Sequence, residues 1–489
     1  MKESNSSGCA DDLREFIDRL EAHDELRRVS AEVDWRYEIG AMSRLVCEKR
    51  GPAPLFENVK DYPGHRVAAV LIGPSKPALH ARTALGLGFE DKQIPPLEMI
   101  EIVRQRIKQS IPPVTVAKNE APCKEVILKG DDANLLKFPA PWIKEIDGGR
   151  YIGTWDVFIT KDPDTGWVNW GTYRSMLKDE KHFVSLLMPS GHGGQALLKY
   201  EAKGKPMPIA LVIGADPVSH LVAGSSFERG VSEASAAGAL RGEPVRVVKC
   251  ETSDLEVPAT AEIVIEAEVI PGRREDEGPF GEFTGHAAQR GKAPLLRVNC
   301  ITHRRDPIFT VANMGKPWDD NAVSTYIVWA ACAKNWLENL GIEINSLYYY
   351  APNLPVISLK PRAGLQQKIV SAMLAGHRRT DTGIVFVDED VDVTNVEDVF
   401  WAIASRMRPS NYEVIRNIHA MPLTAWLSPE ERAAGKSEMF VMDATLPYEW
   451  PQEYREAHTR VADFNRAWSG KMKDTVLNRW REYGYGDVE

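Results

Sequence analysis

Three residues of the 489-residue chain form a set of types that could hold a metal ion. Asn169 in "VNWGTYRSM", His192 in "LLMPSGHGGQ" and Glu233 in "ERGVSEASAAGAL" supply an amide oxygen, an imidazole and a carboxylate. That mixed oxygen and nitrogen set suits Mn²⁺ or Mg²⁺ better than zinc and leaves positions open for a phosphate or water. His192 is expected in a glycine-rich turn, where Gly191 and Gly193 let a large group approach the backbone closely. Glu233 is expected in the first turn of a helix, a place that also favours an acid for the dipole alone. A fourth stretch, "EDEGPFGEFTGH", sets Glu277 and Glu282 on either side of Gly-Pro-Phe-Gly. Gly278, Pro279 and Gly281 argue against a helix or a regular strand there, so a shaped loop is expected to hold both acids. By itself such a loop also reads as a solvated turn with surface acids.

These residues need elements to aim them. Asn169 and Arg174 lie five apart, and on one straight strand they would face opposite ways unless the chain bends at Gly171. From about 119 to 315, β-branched and aromatic runs alternate with turns and point to a β-barrel or sandwich, interrupted by one helix that starts near Ser232 and stops at Gly242. Ahead of it, residues 1–118 read as a small α/β domain, opened by a helix capped at Asp11 or Asp12 that buries Leu13, Phe16, Ile17 and Leu20. Behind it, residues 316–489 return to an α/β rhythm, with a long amphipathic helix closed by Gly341. The tail from about 452 to 483 reads as helical, with Trp468, Met472, Leu477 and Trp480 calling for a partner subunit, so a homodimer or larger homo-oligomer is expected.

The order Asn169, Arg174, His192, "GVSE" with Glu233, "VVKCETSDLEVPATAEIVIE" and "EGPFGEFTGH" resembles the UbiD-like family of reversible decarboxylases, which includes ferulic acid decarboxylase. The resemblance implies an α/β (α+β) fold whose central split β-barrel binds prenylated FMN, a flavin with a fourth ring whose iminium form accepts electron density from the carbon that loses CO2. It implies that Asn169, His192 and Glu233 hold Mn²⁺ against the cofactor phosphate. A K⁺ site is implied at Trp167, Ala223, Gly224 and Ser225, with Arg406 nearby. Glu277, Arg174 and Glu282 become the catalytic network, with Glu282 protonating the substrate carbon and the other two orienting it. Where ferulic acid decarboxylase has a glutamine before the metal histidine, this chain has Gly191. Met188, Met421 and Leu423 fall near positions that wall the substrate pocket, and His377, Arg378 or Arg379 would take the place of a phosphate-contacting lysine. The implied substrate is an aromatic, heteroaromatic or α,β-unsaturated carboxylic acid, and a prenyl-flavin synthase would supply the cofactor.

Bulk properties narrow the alternatives. A net charge of −9 with no long basic run argues against nucleic-acid binding. Six cysteines without CxxC spacing read as reduced thiols of a cytoplasmic protein, and no apolar run is long enough to embed the chain in a membrane. A metal-dependent hydrolase would explain Asn169, His192 and Glu233 but leaves Arg174, Glu277 and Glu282 idle. A flavin-binding scaffold would keep the fold and has no need for that network.

Overall fold

Leu13, Phe16, Ile17 and Leu20 fall on one side of helix Leu13–Ala22 and are all buried, and Asp12 caps the helix by accepting from Glu15 N. The computed structural model describes residues 8–486 apart from 226, 351 and 377–380. Among the described residues, the chain builds three principal sheets. The amino-terminal one runs in the order Leu26–Val29, Ala53–Phe56, Arg66–Ala69, Ile308–Val311. The carboxy-terminal one runs Ser346–Tyr350, Leu354–Leu359, Gly383–Asp388, Lys436–Ala444, Tyr412–His419.

Between them lies a nine-stranded sheet curled into a half-barrel. Its backbone is the antiparallel pair Ile263–Glu277 and Gly291–His303, whose register shifts between Glu266 and Ala267 and again between Val269 and Arg274. Each shift inserts unpaired residues into one strand, and such bulges bend a sheet and raise its twist. Met207–Ile213, Asp156–Lys161 and Val168–Gly171 extend the sheet on one side; His182–Ser185, Ser175–Leu177 and Tyr151–Gly153 extend it on the other. Val157, Ile159, Ala210 and Val212 face one hydrophobic cluster while Phe158, Leu211 and Ile213 face another, so the sheet is buried on both sides.

Four expectations change. Glu277 is the last residue of the strand Ile263–Glu277, and Phe280–Gly281 makes a short pairing with Ala287–Ala288, so glycine and proline end one strand and open a hairpin without abolishing strand structure. Strands also cross the expected domain limits: Val114–Thr115 pairs with Arg246–Lys249, and Ile308–Val311 pairs with Arg66–Ala69. Helix Asp320–Asn339 is buried on every side over its first three turns, where an amphipathic helix was expected. The tail forms two short helices, Gln452–His458 and Gly470–Asn478, with Trp468 and Met472 about half exposed. Among the described residues no helix is long and apolar enough to cross a membrane.

The hairpin at 278–288 is clamped from behind by residues 147–149. Gly148 N donates to Pro279 O at 2.7 Å, and a Cβ on Gly148 would stand 2.1 Å from Gly278 O. Gly291, opposite Glu277 in the same ladder, has nothing within 4 Å of the equivalent position. Gly148→Ala should therefore lower stability by about 1–3 kcal/mol, as overpacking against fixed backbone does, while Gly291→Ala leaves it unchanged. Thermal unfolding of the two variants checks this, and equal midpoints would contradict it.

Candidate active site

The strand Val168–Gly171 stops at Gly171, and the chain turns through Thr172 and Tyr173 before Ser175–Leu177 begins. This is the bend that lets Asn169 and Arg174 line one cavity. Gly171 is required there, since its Cβ would meet the Tyr173 ring at 2.6 Å. The Tyr173 hydroxyl in turn accepts from Gly193 N at 3.0 Å, which ties the turn to the start of the next helix.

At one end of the cavity Asn169, His192 and Glu233 converge. His192 is the first residue of helix His192–Ala202 and Glu233 the first of helix Glu233–Arg241, so two helix N-termini face the same place. The sequence placed His192 in a turn; Gly191 is the N-cap and the turn ends there. Asn169 Nδ2 donates to Glu233 Oε1 at 2.9 Å and stands 3.4 Å from His192 Nδ1, while Trp170 N donates to Glu233 Oε2 at 3.1 Å. Burial pushes the Glu233 carboxyl up to about 7 against these neutral donors. Asn169 Oδ1 and His192 Nε2 are buried without a hydrogen-bond partner. A half-turn of the Asn169 amide puts its oxygen beside an imidazole nitrogen and a carboxylate oxygen, a donor set that fits a divalent cation such as Mn²⁺.

At the other end Arg174 joins two carboxylates. Its Nε and Nη2 donate to Glu277 at 2.9 and 2.6 Å, and its Nη1 donates to Glu282 Oε1. All three side chains are buried. Burial opposes the charge of Arg174, but Glu282 and Glu277 outweigh it and hold the guanidinium firmly protonated. Burial raises the pKa of Glu282 from its ordinary value, with Arg174 pulling the other way and Glu277 adding to the rise. Glu277 also accepts from the Tyr151 hydroxyl at 2.8 Å, whereas Glu282 faces the cavity. The Phe280 ring lies 5.3 Å beneath the guanidinium.

Three family models match the chain: the 3-octaprenyl-4-hydroxybenzoate carboxy-lyase N-terminal domain over residues 17–105, its Rift-related domain over 114–317 and its C-terminal domain over 344–444. The pyrrole-2-carboxylic acid decarboxylase of Pseudomonas aeruginosa is 32% identical over 496 residues, covering 98% of this chain and 99% of that protein. The chain belongs to the UbiD family of carboxy-lyases. Ferulic acid decarboxylase 1 of Saccharomyces cerevisiae is 30% identical, covering 97% of this chain and 98% of the relative. Among solved structures, vanillic acid decarboxylase of Sedimentibacter hydroxybenzoicus in closed form superposes with a TM-score of 0.86 at 29% identity, covering 98% and 99% of the two chains. A UbiD-class enzyme of Pelotomaculum thermopropionicum in complex with FMN gives 0.78 at 29% identity, covering 90% of this chain and 95% of that one.

Within this UbiD-family site, not every anticipated residue arrives. Ala223, Gly224 and Ser225 line the cavity at the end of helix Pro217–Ala223, and the Trp167 ring packs edge-on against His192 at 4.5 Å. The Gly224 carbonyl already accepts from Trp329 Nε1 at 3.1 Å. Arg406 is not brought to the cavity: its guanidinium is held by Asp388 and Asp390 at 2.9 and 2.7 Å, closing the carboxy-terminal sheet onto helix Val396–Arg406. Met188 and Leu423 line the cavity as expected, whereas Met421 does not and instead meets Asn353 through its sulfur. Gly191 has its nearest neighbour for a Cβ at 3.4 Å, so the missing side chain does leave room. His377, Arg378 and Arg379 lie outside the described residues.

The sequence reading missed Tyr173, Tyr151, Phe280 and Asp147. Asp147 accepts from Gly281 N at 2.9 Å and from Lys144 N at 3.0 Å, which fixes the hairpin carrying Glu282. Tyr173 could have been found, because it lies between Asn169 and Arg174 and next to the glycine that must make room for it. The network itself predicts a stability effect independent of turnover. Arg174→Met should destabilise the fold by about 3–5 kcal/mol, because the buried Glu277 carboxylate loses its counter-charge. Adding Glu277→Gln should recover part of that loss, as chemical denaturation at neutral pH would read out.

Proposed function

We propose that this UbiD-family carboxy-lyase uses prenylated FMN to decarboxylate an aromatic, heteroaromatic or α,β-unsaturated carboxylic acid. The observation that carries the reading is one cavity with a cation-type donor set at one end and the Glu277–Arg174–Glu282 network at the other. Asn169, His192 and Glu233 would hold Mn²⁺ against the flavin phosphate, where the two helix N-termini also favour an anion. Ala223, Ser225 and Trp167 would offer carbonyl or hydroxyl oxygens to K⁺. The flavin supplies an electrophilic ring that takes up electron density from the carbon losing CO2. The chain supplies the rest. Leu186, Met188, Phe283 and Leu423 give apolar walls suited to a flat unsaturated acid and exclude water from its far side. Glu282, with its raised pKa, carries the proton to the carbon left by CO2. Tyr151 holds Glu277, Glu277 holds Arg174, and Arg174 holds Glu282. The net change is carboxylate plus one proton to CO2 and the shortened product.

This reading sets the protein in the cytoplasm beside a prenyl-flavin synthase, which supports co-expression of the two as the route to loaded enzyme. Protein made that way should carry flavin and Mn²⁺ and release CO2 from at least one of pyrrole-2-carboxylate, ferulate or vanillate, acids suggested by the relatives' names. Glu282→Gln should keep flavin and metal while turnover drops by about 10²–10⁴, the usual loss on removing a general acid. His192→Ala should instead lose metal and flavin together. Absorbance, metal content and CO2 release on both variants test the division of labour, and near-normal turnover by Glu282→Gln would refute it.

A homo-oligomer built through the tail is part of the same proposal, supported by the half-exposed Trp468 and Met472. Light scattering at micromolar concentration should give a dimer or larger species, and truncation after about residue 455 should weaken it. A monomeric full-length chain would contradict this.

A further inference from the structure

A second chamber of about 570 Å³ adjoins the reactive cavity and shares Arg174, Leu186, Met188 and Leu423 with it. Met188 and Leu423 thus form a neck between the two. The outer chamber lies between the 280–288 hairpin and residues 422–432, and Asn169, His192 and Glu233 are not in its wall. The two ends of the site are therefore open to different things. The end with the helix N-termini is where, on the functional reading above, the cofactor phosphate sits; the outer chamber meets the site on the Arg174 side.

The charge of this chamber is out of keeping with the chain. The protein has 69 acidic and 60 basic residues, yet His286, Arg290 and Arg432 line the chamber beyond Arg174 and no Asp or Glu does, among the described residues. Among the described residues the two outer arginines form no salt bridge; the nearby Asp276, which feels the charge of Arg290, is itself paired with Lys292. Arg290 Nε donates to Gly278 O at 3.4 Å, and Arg432 donates to the carbonyl of Pro422 and, at 3.0 Å, to that of Thr424. Carbonyls orient a guanidinium and leave its full charge in place. A concave site lined by one sign of charge focuses the field and raises the local concentration of the opposite ion.

We propose that this chamber is the entrance through which the substrate carboxylate reaches Arg174 and Glu282, drawn in by Arg290 and Arg432. The inference rests on the decarboxylase reading, and the chemistry gives it a direction. The acid enters as an anion and is attracted at the rim. After decarboxylation the carbon carries a proton where the carboxylate was, and both CO2 and the shortened product have lost the charge that the chamber attracts.

The test uses the loaded enzyme and whichever of pyrrole-2-carboxylate, ferulate or vanillate it turns over. Arg290→Gln should lower kcat/KM about threefold or more at low ionic strength, leave kcat within about twofold, and differ little from the wild type near 0.5 M salt, where exposed charges are screened. Ala425→Trp, at the chamber wall, should lower kcat/KM without changing bound flavin. Arg432 is the less clean probe, because it also holds the 422–424 backbone. Turnover by the wild type, with kcat/KM unchanged in both Arg290→Gln and Ala425→Trp, would overturn the entrance and leave the decarboxylase reading standing. Absence of turnover by the flavin-loaded wild type would overturn that reading and the entrance with it.

Discussion

Burying two carboxylates around one guanidinium leaves a surplus negative charge, and the arrangement of the site follows from how that surplus is relieved. Removing three ionised groups from water costs several kcal/mol each, which one arginine does not offset for two partners. The least costly state puts a proton on one acid. Geometry decides which. Glu277 takes two bonds from Arg174 and a third from Tyr151, whereas Glu282 takes one guanidinium bond and faces the cavity. The geometry therefore favours the proton on Glu282, whose pKa is raised mainly by burial. A group kept protonated by its surroundings and turned toward the cavity is what proton delivery to carbon requires.

The opposite end of the cavity solves a different problem. Asn169, His192 and Glu233 are buried among neutral donors, and two of their polar atoms have no partner. Such atoms cost free energy unless something binds them. A divalent cation beside Glu233 and His192 Nδ1 would take up the amide oxygen once the Asn169 amide is turned, and it would keep Glu233 ionised despite its burial. The set thus makes poor sense as a stabilising device and good sense as a binding one.

How much of this the sequence revealed depends on the range of the interaction. The helix starts at Asp11 or Asp12 and near Ser232, the stop at Gly242 and the bend at Gly171 are local and were readable. The chemistry-bearing residues were readable too, because their order in the chain resembles a family. What was not readable depends on partners distant in sequence. Nothing near Ile308–Val311 says that it completes a sheet begun at residue 26. Nothing near Asp320–Asn339 says that both of its faces are covered, since apolar residues at helical spacing look alike on a half-buried and a fully buried helix. Arg406 was assigned by resemblance alone, and the acids that claim it are Asp388 at the end of strand Gly383–Asp388 and Asp390 in the turn that follows.

The distance between the two ends of the cavity is set by backbone, because both depend on the same few residues. Asn169 lies on a strand whose register is fixed opposite Thr160, and a slip of one residue would turn it to the other face of the sheet. Five residues later Arg174 stands just before Ser175–Leu177, a strand on the other side of the half-barrel, and Tyr173 between them is fastened to Gly193 at the start of the His192 helix. The cation-type donors, the anion-favouring helix start and the arginine that governs Glu282 are thereby fixed to one turn of chain. A cofactor anchored by its phosphate at one end would meet the acid at the other in a single position, without a loop having to close to bring them together.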